Sequence, residues 1–185
     1  MQFEVLKDFR EEKVISKETK ERYLGKISEE MMGFWENYGL GNFCNGFFKS
    51  VNPDEYKELF ETTSLRYTEN GVVVFATGLA DLIIENNKRL YFLQYRKGII
   101  SLLPVKMKFF LQALSEENSV FLSDYLNSDQ YFLALEKYGA VQYEEAFGYV
   151  PLLGLGGSEK IENLDKVKIK EHIFLISQLV GPVDL

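Results

Sequence analysis

The side chains that most often carry covalent or metal chemistry are scarce in this 185-residue chain: it has one cysteine, one histidine and one tryptophan. A single cysteine, Cys44, excludes an intrachain disulfide and any multi-cysteine metal site. A single histidine, His172, excludes a histidine-rich metal centre. No apolar run approaches the roughly 20 residues of a membrane span, and the charged start MQFEVLKDFREEK lacks the apolar stretch of about 7–15 residues found in a secretory signal. Both point to the cytoplasm. Positive charge is also short: 21 Lys and Arg face 28 Asp and Glu, a formal net charge of −7, which makes direct binding to a nucleic-acid backbone a poor expectation. What is abundant is aromatic, at 15% of residues, and this favours a compact core with aromatic contacts.

Along the chain, Met1 to Lys13 reads as a short helix around Phe3, Leu6 and Phe9, and Thr19 to Leu24 as another. Ser28 is an N-cap candidate for a helix carrying Met31, Phe34, Trp35 and Tyr38, stopped at Gly39. Gly39 to Gly46 reads as a loop between helix and strand. It lacks the Lys-Ser/Thr pair of a phosphate-binding loop. Asn52-Pro53-Asp54 opens a further helix.

From about residue 65 to 103 the period changes to that of strands. The runs Val72–Ala76, Asp81–Glu85, Arg89–Tyr95 and Ile99–Leu103 are split by turn residues, which predicts an antiparallel meander. Arg89–Tyr95 carries apolar groups on both faces, as a central strand would. After Pro104 the pattern is helical again, in three segments opening near Lys106, Ser115 and Ser128. Phe147, Tyr149, Pro151, Leu153 and Leu155 then read as a strand, Gly156-Gly157 as a turn, and Ile169, Ile173, Ile176 and Leu179 as the inward stripe of a closing helix. The fold class is therefore α+β: a meander packed with N- and C-terminal helices, plus a small late strand pair near 149–167.

No catalytic constellation emerges. There is no Gly-x-Ser-x-Gly elbow, and Gly154-Leu-Gly-Gly157 is not followed directly by the helix that a dinucleotide fingerprint needs. Glu144-Glu145, Asp81 with Glu85, and Glu58 with Glu61 read as solvated faces. A Cys44–His172 dyad, adjacent only in the fold, stays open as an alternative. The expectation is a binding protein with no enzyme activity, cofactor or metal.

Two stretches carry a resemblance. Phe147-Gly-Tyr-Val-Pro-Leu-Leu-Gly-Leu-Gly-Gly157, with Glu162-Asn-Leu-Asp-Lys-Val167, Glu171-His172 and Gln178-Leu179, resembles the C-terminal domain of immunity proteins that protect bacteria from type VI secretion DNase toxins. Leu24-Gly-Lys-Ile-Ser-Glu-Glu-Met-Met-Gly-Phe-Trp-Glu-Asn-Tyr-Gly-Leu-Gly41, with Asn45-Gly46 and Val51-Asn-Pro-Asp-Glu-Tyr56, is similar to the GAD-like domain that precedes it in that family. Lys168 departs from the capping residue expected before the last helix, and Ile27-Ser28 from the Leu-Pro pair frequent in relatives.

The resemblance implies a GAD-like domain over 1–105 and an immunity-type domain over 106–185, which can share one core. It implies a cytoplasmic partner for a nuclease-type toxin, with no direct contact to nucleic acid or membrane. A regulatory or small-molecule-binding protein of the same fold is the alternative. A nuclease presents a basic groove to DNA, so acidic side chains are the expected contacts: Asp54, Glu55, Glu58, Glu116, Glu117, Asp124, Glu144 and Glu145.

Overall fold

A computed structural model describes residue 6 and residues 8–64, 69–116 and 119–183. Its centre is a seven-stranded antiparallel sheet in which every strand pairs with the next in sequence: β1 (Arg10–Lys13), β2 (Leu40–Phe43), β3 (Phe48–Ser50), β4 (Val72–Thr77), β5 (Leu82–Asn86), β6 (Arg89–Gln94) and β7 (Ile99–Leu102). The meander predicted from sequence is β4–β7. The sheet alternates between two apolar clusters with period two. Val73, Leu82, Ile84 and Leu93 join one, while Val72, Ile83, Leu90 and Phe92 join the other.

Helices cover both faces. The aromatic cluster is completed by α2 (Glu29–Tyr38), α4 (Met107–Ser115), α5 (Ser119–Leu126) and α6 (Asp129–Tyr138), with Tyr23 from α1 (Lys17–Tyr23). The aliphatic cluster is completed by α3 (Pro53–Thr63) and α7 (Ile169–Val180). The aromatic cluster draws residues from both sides of position 105, from Leu6 to Leu164. A second sheet of two strands, β8 (Glu145–Tyr149) and β9 (Leu164–Lys168), is attached through Gly78. The Gly78 N–H donates to the Phe47 carbonyl at 2.6 Å and its carbonyl accepts from the Phe147 N–H at 2.7 Å. The β4–β5 turn thereby ties the early hairpin to the late strand.

Five expectations are corrected. Arg10–Lys13 is an edge strand rather than part of a helix, while Phe3 lies outside the described residues. Phe9 stacks against Phe43 and meets Phe34 edge-on, and the four charged residues after it guard the sheet edge. Gly39–Gly46 is not a loop throughout: Leu40–Phe43 pairs with Phe48–Ser50, and only Cys44, Asn45 and Gly46 turn, all at positive φ. The Asp8 carboxylate accepts from the Cys44 and Asn45 N–H groups at 3.1 and 2.5 Å, which stabilises that turn.

Asp81 and Glu85 are fully buried, not solvated. The Glu85 carboxylate accepts from the Ser28 N–H at 3.0 Å and its hydroxyl at 3.1 Å, next to the N-terminus of α2, and Asp81 pairs with the equally buried Arg96. Finally, the strand from Phe147 ends at Tyr149. Leu153–Leu155 is a 3-10 turn with Leu155 exposed, and Leu179 points to solvent while Ile169, Ile173 and Ile176 pack inward.

The Phe-Gly-Tyr signature has a packing cause. A Cβ on Gly148 would lie 2.4 Å from Nε2 of His172, so β8 and α7 can approach only because position 148 is bare. Gly148→Ala is expected to lower stability by about 1–3 kcal/mol. His172→Ala in the same chain is expected to recover part of that loss, measured as non-additivity in urea unfolding. Simple additivity of the two would contradict this packing.

Candidate functional site

Carboxylates gather where β1, the start of α3 and the entrance to β8 meet. Asn52 caps α3 by accepting from the Asp54 N–H at 3.0 Å, which fixes the first turn and projects Glu55 outward. The Lys13 ammonium of β1 lies 3.7 Å from Glu55 and 3.9 Å from Glu144, so it draws two of the expected residues to one point. These ion pairs are half-exposed and contribute little stability. Glu58 follows one turn after Glu55, on the same side of α3 and exposed.

Tyr143 is the floor of this surface. Its hydroxyl donates to the Ser50 carbonyl at 2.7 Å. Burial first, and then the negative field of Glu55, Glu12 and Glu144, hold it protonated well above the usual tyrosine range. The neighbouring Tyr56 is raised by burial first, and then by Tyr143, Glu55, Glu144 and Glu171. Sequence reasoning missed Glu12, Tyr143 and Glu171. No local pattern marks them, because they come from β1, the turn before β8 and α7 and share this surface only in the folded chain. Beneath them, the buried Lys49 donates to the Gly46 carbonyl at 2.9 Å and to Asn42 at 3.3 Å. Burial pushes its ammonium down to about 8, against the pull of Glu145 and Glu12.

The other expected contacts are placed differently. Asp54 is committed to the fold: it accepts from Arg22 at 2.5 Å, Tyr23 at 2.9 Å and Thr19 at 3.3 Å, locking α1 to α3. Glu145 accepts from the Gln142 N–H at 3.1 Å and pairs with its cross-strand neighbour Lys168 at 3.3 Å, and these hold its carboxyl below the usual range. Glu116, just past the end of α4, and Asp124 on α5 are exposed, across the sheet from α3. Glu117 lies outside the described residues.

The chemical alternative does not assemble. Cys44 sits in the β2–β3 turn with Sγ 3.8 Å from the Leu114 carbonyl, inside the aromatic cluster. His172 lies over Gly148 on α7, whose inward residues belong to the other cluster. Among the described residues no group of three or more His, Cys, Asp and Glu could hold a metal ion, and no helix is long and apolar enough to cross a membrane.

Burial lowers the His172 pKa, so the unfolded chain binds its proton more readily than the folded one. The contribution of this group to stability is therefore full above the ordinary histidine value of about 6.5 and is lost as pH falls through the folded value. The single imidazole resonance is expected to titrate below that ordinary value by NMR. The stability difference between the wild type and His172→Gln is expected to shift against the wild type between pH 7 and 5. A midpoint at or above 6.5 would contradict it.

Comparison with known proteins adds the context of this surface. A family model described as "GAD-like domain" matches residues 2–83, and one described as "T6SS immunity protein Tdi1, C-terminal" matches residues 105–180. No curated protein matches. The crystal structure of Atu4351 from Agrobacterium tumefaciens has a similar fold, with a TM-score of 0.77 at 16% identity, over 94% of this chain and 87% of that one.

Proposed function

Since the chain belongs to the T6SS immunity family that joins a GAD-like domain to a Tdi1-type C-terminal domain, we propose that it is an immunity protein acting in the cytoplasm. It binds a cognate secreted toxin of the nuclease type and blocks it, with no chemistry of its own. The observation that carries the reading is the pair of domain matches, in this order, over most of one chain. The division near residue 105 is part of the same reading.

The contact surface follows from electrostatics. A nuclease needs a basic groove for its phosphate backbone. Glu55, Glu58 and Glu144, joined by Glu12, form an exposed acidic face that such a groove attracts, and clustered charge accelerates encounter. Asp54 and Glu145 hold that face in shape rather than meet the partner. Glu116 and Asp124 lie too far round the fold to join it.

Co-expression with a cognate toxin of the nuclease type tests the reading. Cells making the toxin alone are expected to die and cells making both to survive, with a complex recoverable from the survivors. Death of both cultures, with no complex, would overturn it.

A further inference from the structure

A cleft of about 790 Å³ opens between the α1–α2 loop, α3, the segment entering β4 and the β5–β6 turn. Its charge runs against that of the chain. The protein carries a net −7, yet Arg22, Lys26, Lys57 and Lys88 all line this hollow. Three carboxylates share it: Asp54, Glu61 and Glu69. Two of them already have partners there, Asp54 with Arg22 at 2.5 Å and Glu61 with Lys57 at 3.9 Å.

Lys26 and Lys88 are different. Among the described residues neither has a carboxylate within ion-pair distance, and Lys26 rests 5.5 Å from the Tyr23 ring centre. They stand on separate elements, one on the α1–α2 loop and one on the β5–β6 turn, and line one concavity. The Asp54 knot of Arg22, Tyr23 and Thr19 fixes α1 against α3 on one side of the cleft. Asn87 adds an amide at the same rim.

We propose that this cleft binds a small molecule bearing at least two phosphate-type negative charges, with Lys26 and Lys88 as its direct contacts. The volume lies in the usual range for small-ligand sites, about 300–1,000 Å³. Lysine ammonium groups act as point charges toward phosphate oxygens. Neither makes an ion pair among the described residues, so both ammonium groups can turn to phosphate oxygens without breaking one. The site does not depend on the immunity reading and does not use the face built by Glu12, Glu55 and Glu144.

The test is calorimetric titration of the whole chain with sodium pyrophosphate and with ATP at low ionic strength, with citrate as the carboxylate arm. One-site binding of pyrophosphate or ATP is expected, weakened about tenfold or more in Lys26→Ala/Lys88→Ala. Both lysines are exposed, so the variant is expected to keep the wild-type melting temperature. Absence of binding by both phosphate ligands, or equal binding by the variant, would overturn the proposal. Citrate binding as tightly as pyrophosphate would overturn the phosphate assignment. Loss of toxin binding in the same variant would make the cleft a protein contact and overturn it as well.

Discussion

Arg96→Met is expected to cost about 3–5 kcal/mol of folding stability, because it strands a carboxylate in the interior. Asp81 is fully buried just before β5 and Arg96 reaches it from the 3-10 turn after β6. Burial pushes the Asp81 carboxyl up to about 6, while Arg96, its backbone N–H and that of Tyr95 pull it down. With Arg96 gone, burial acts almost unopposed and the folded-state value rises further. A carboxyl raised in the folded state binds its proton more tightly there than in the unfolded chain. The loss in Arg96→Met is therefore expected to be smaller at pH 5 than at pH 8.

Asp81→Asn added to Arg96→Met removes the stranded charge and is expected to recover much of the loss. Urea unfolding at both pH values measures all of this. A penalty for Arg96→Met below about 1 kcal/mol, identical at both, would mean the pair is not isolated from water.

Reversing Glu12, Glu55 and Glu144 to lysine together is expected to slow association with the toxin by about 10–100-fold at low salt. The charge change is six on one face, and all three side chains act on Tyr143. The difference is expected to shrink as salt rises, because steering is screened over about 10 Å at 0.1 M. Removing the Lys13 pairs costs little stability, so folding is expected to survive. Glu116→Lys/Asp124→Lys is the control, with the same kind of change across the sheet. If the control slows association and the triple variant does not, the acidic face has been assigned to the wrong side.

The meander was legible because β4–β7 are short β-rich runs divided by turn residues. Both faces of β6 could be read from Leu90, Phe92 and Leu93 alone. The β2–β3 hairpin was not, because Leu40-Gly-Asn-Phe carries no strand-like run. It is held by pairing with its neighbours and by Asp8 on the turn. Buried charge was invisible for a related reason. Asp81 and Glu85 look like an ordinary solvated pair until Arg96, 15 positions on, and Ser28, 57 positions back, are brought to them.

The acidic residues were legible one by one, and their convergence was not. Glu55 and Glu144 meet because β1 lays Lys13 between them, and that strand was read as helix. Asp54, equally acidic by sequence, is held inside a knot of three donors, a fact that lives in the α1–α3 contact rather than in its neighbours.

Hydrogen exchange on the chain, alone and with its cognate toxin, tests the central claim most directly. Binding through the acidic face predicts added protection in peptides spanning residues 10–13, 53–58 and 141–147, with 107–126 unchanged. Protection confined to 107–126, or none anywhere, would contradict it.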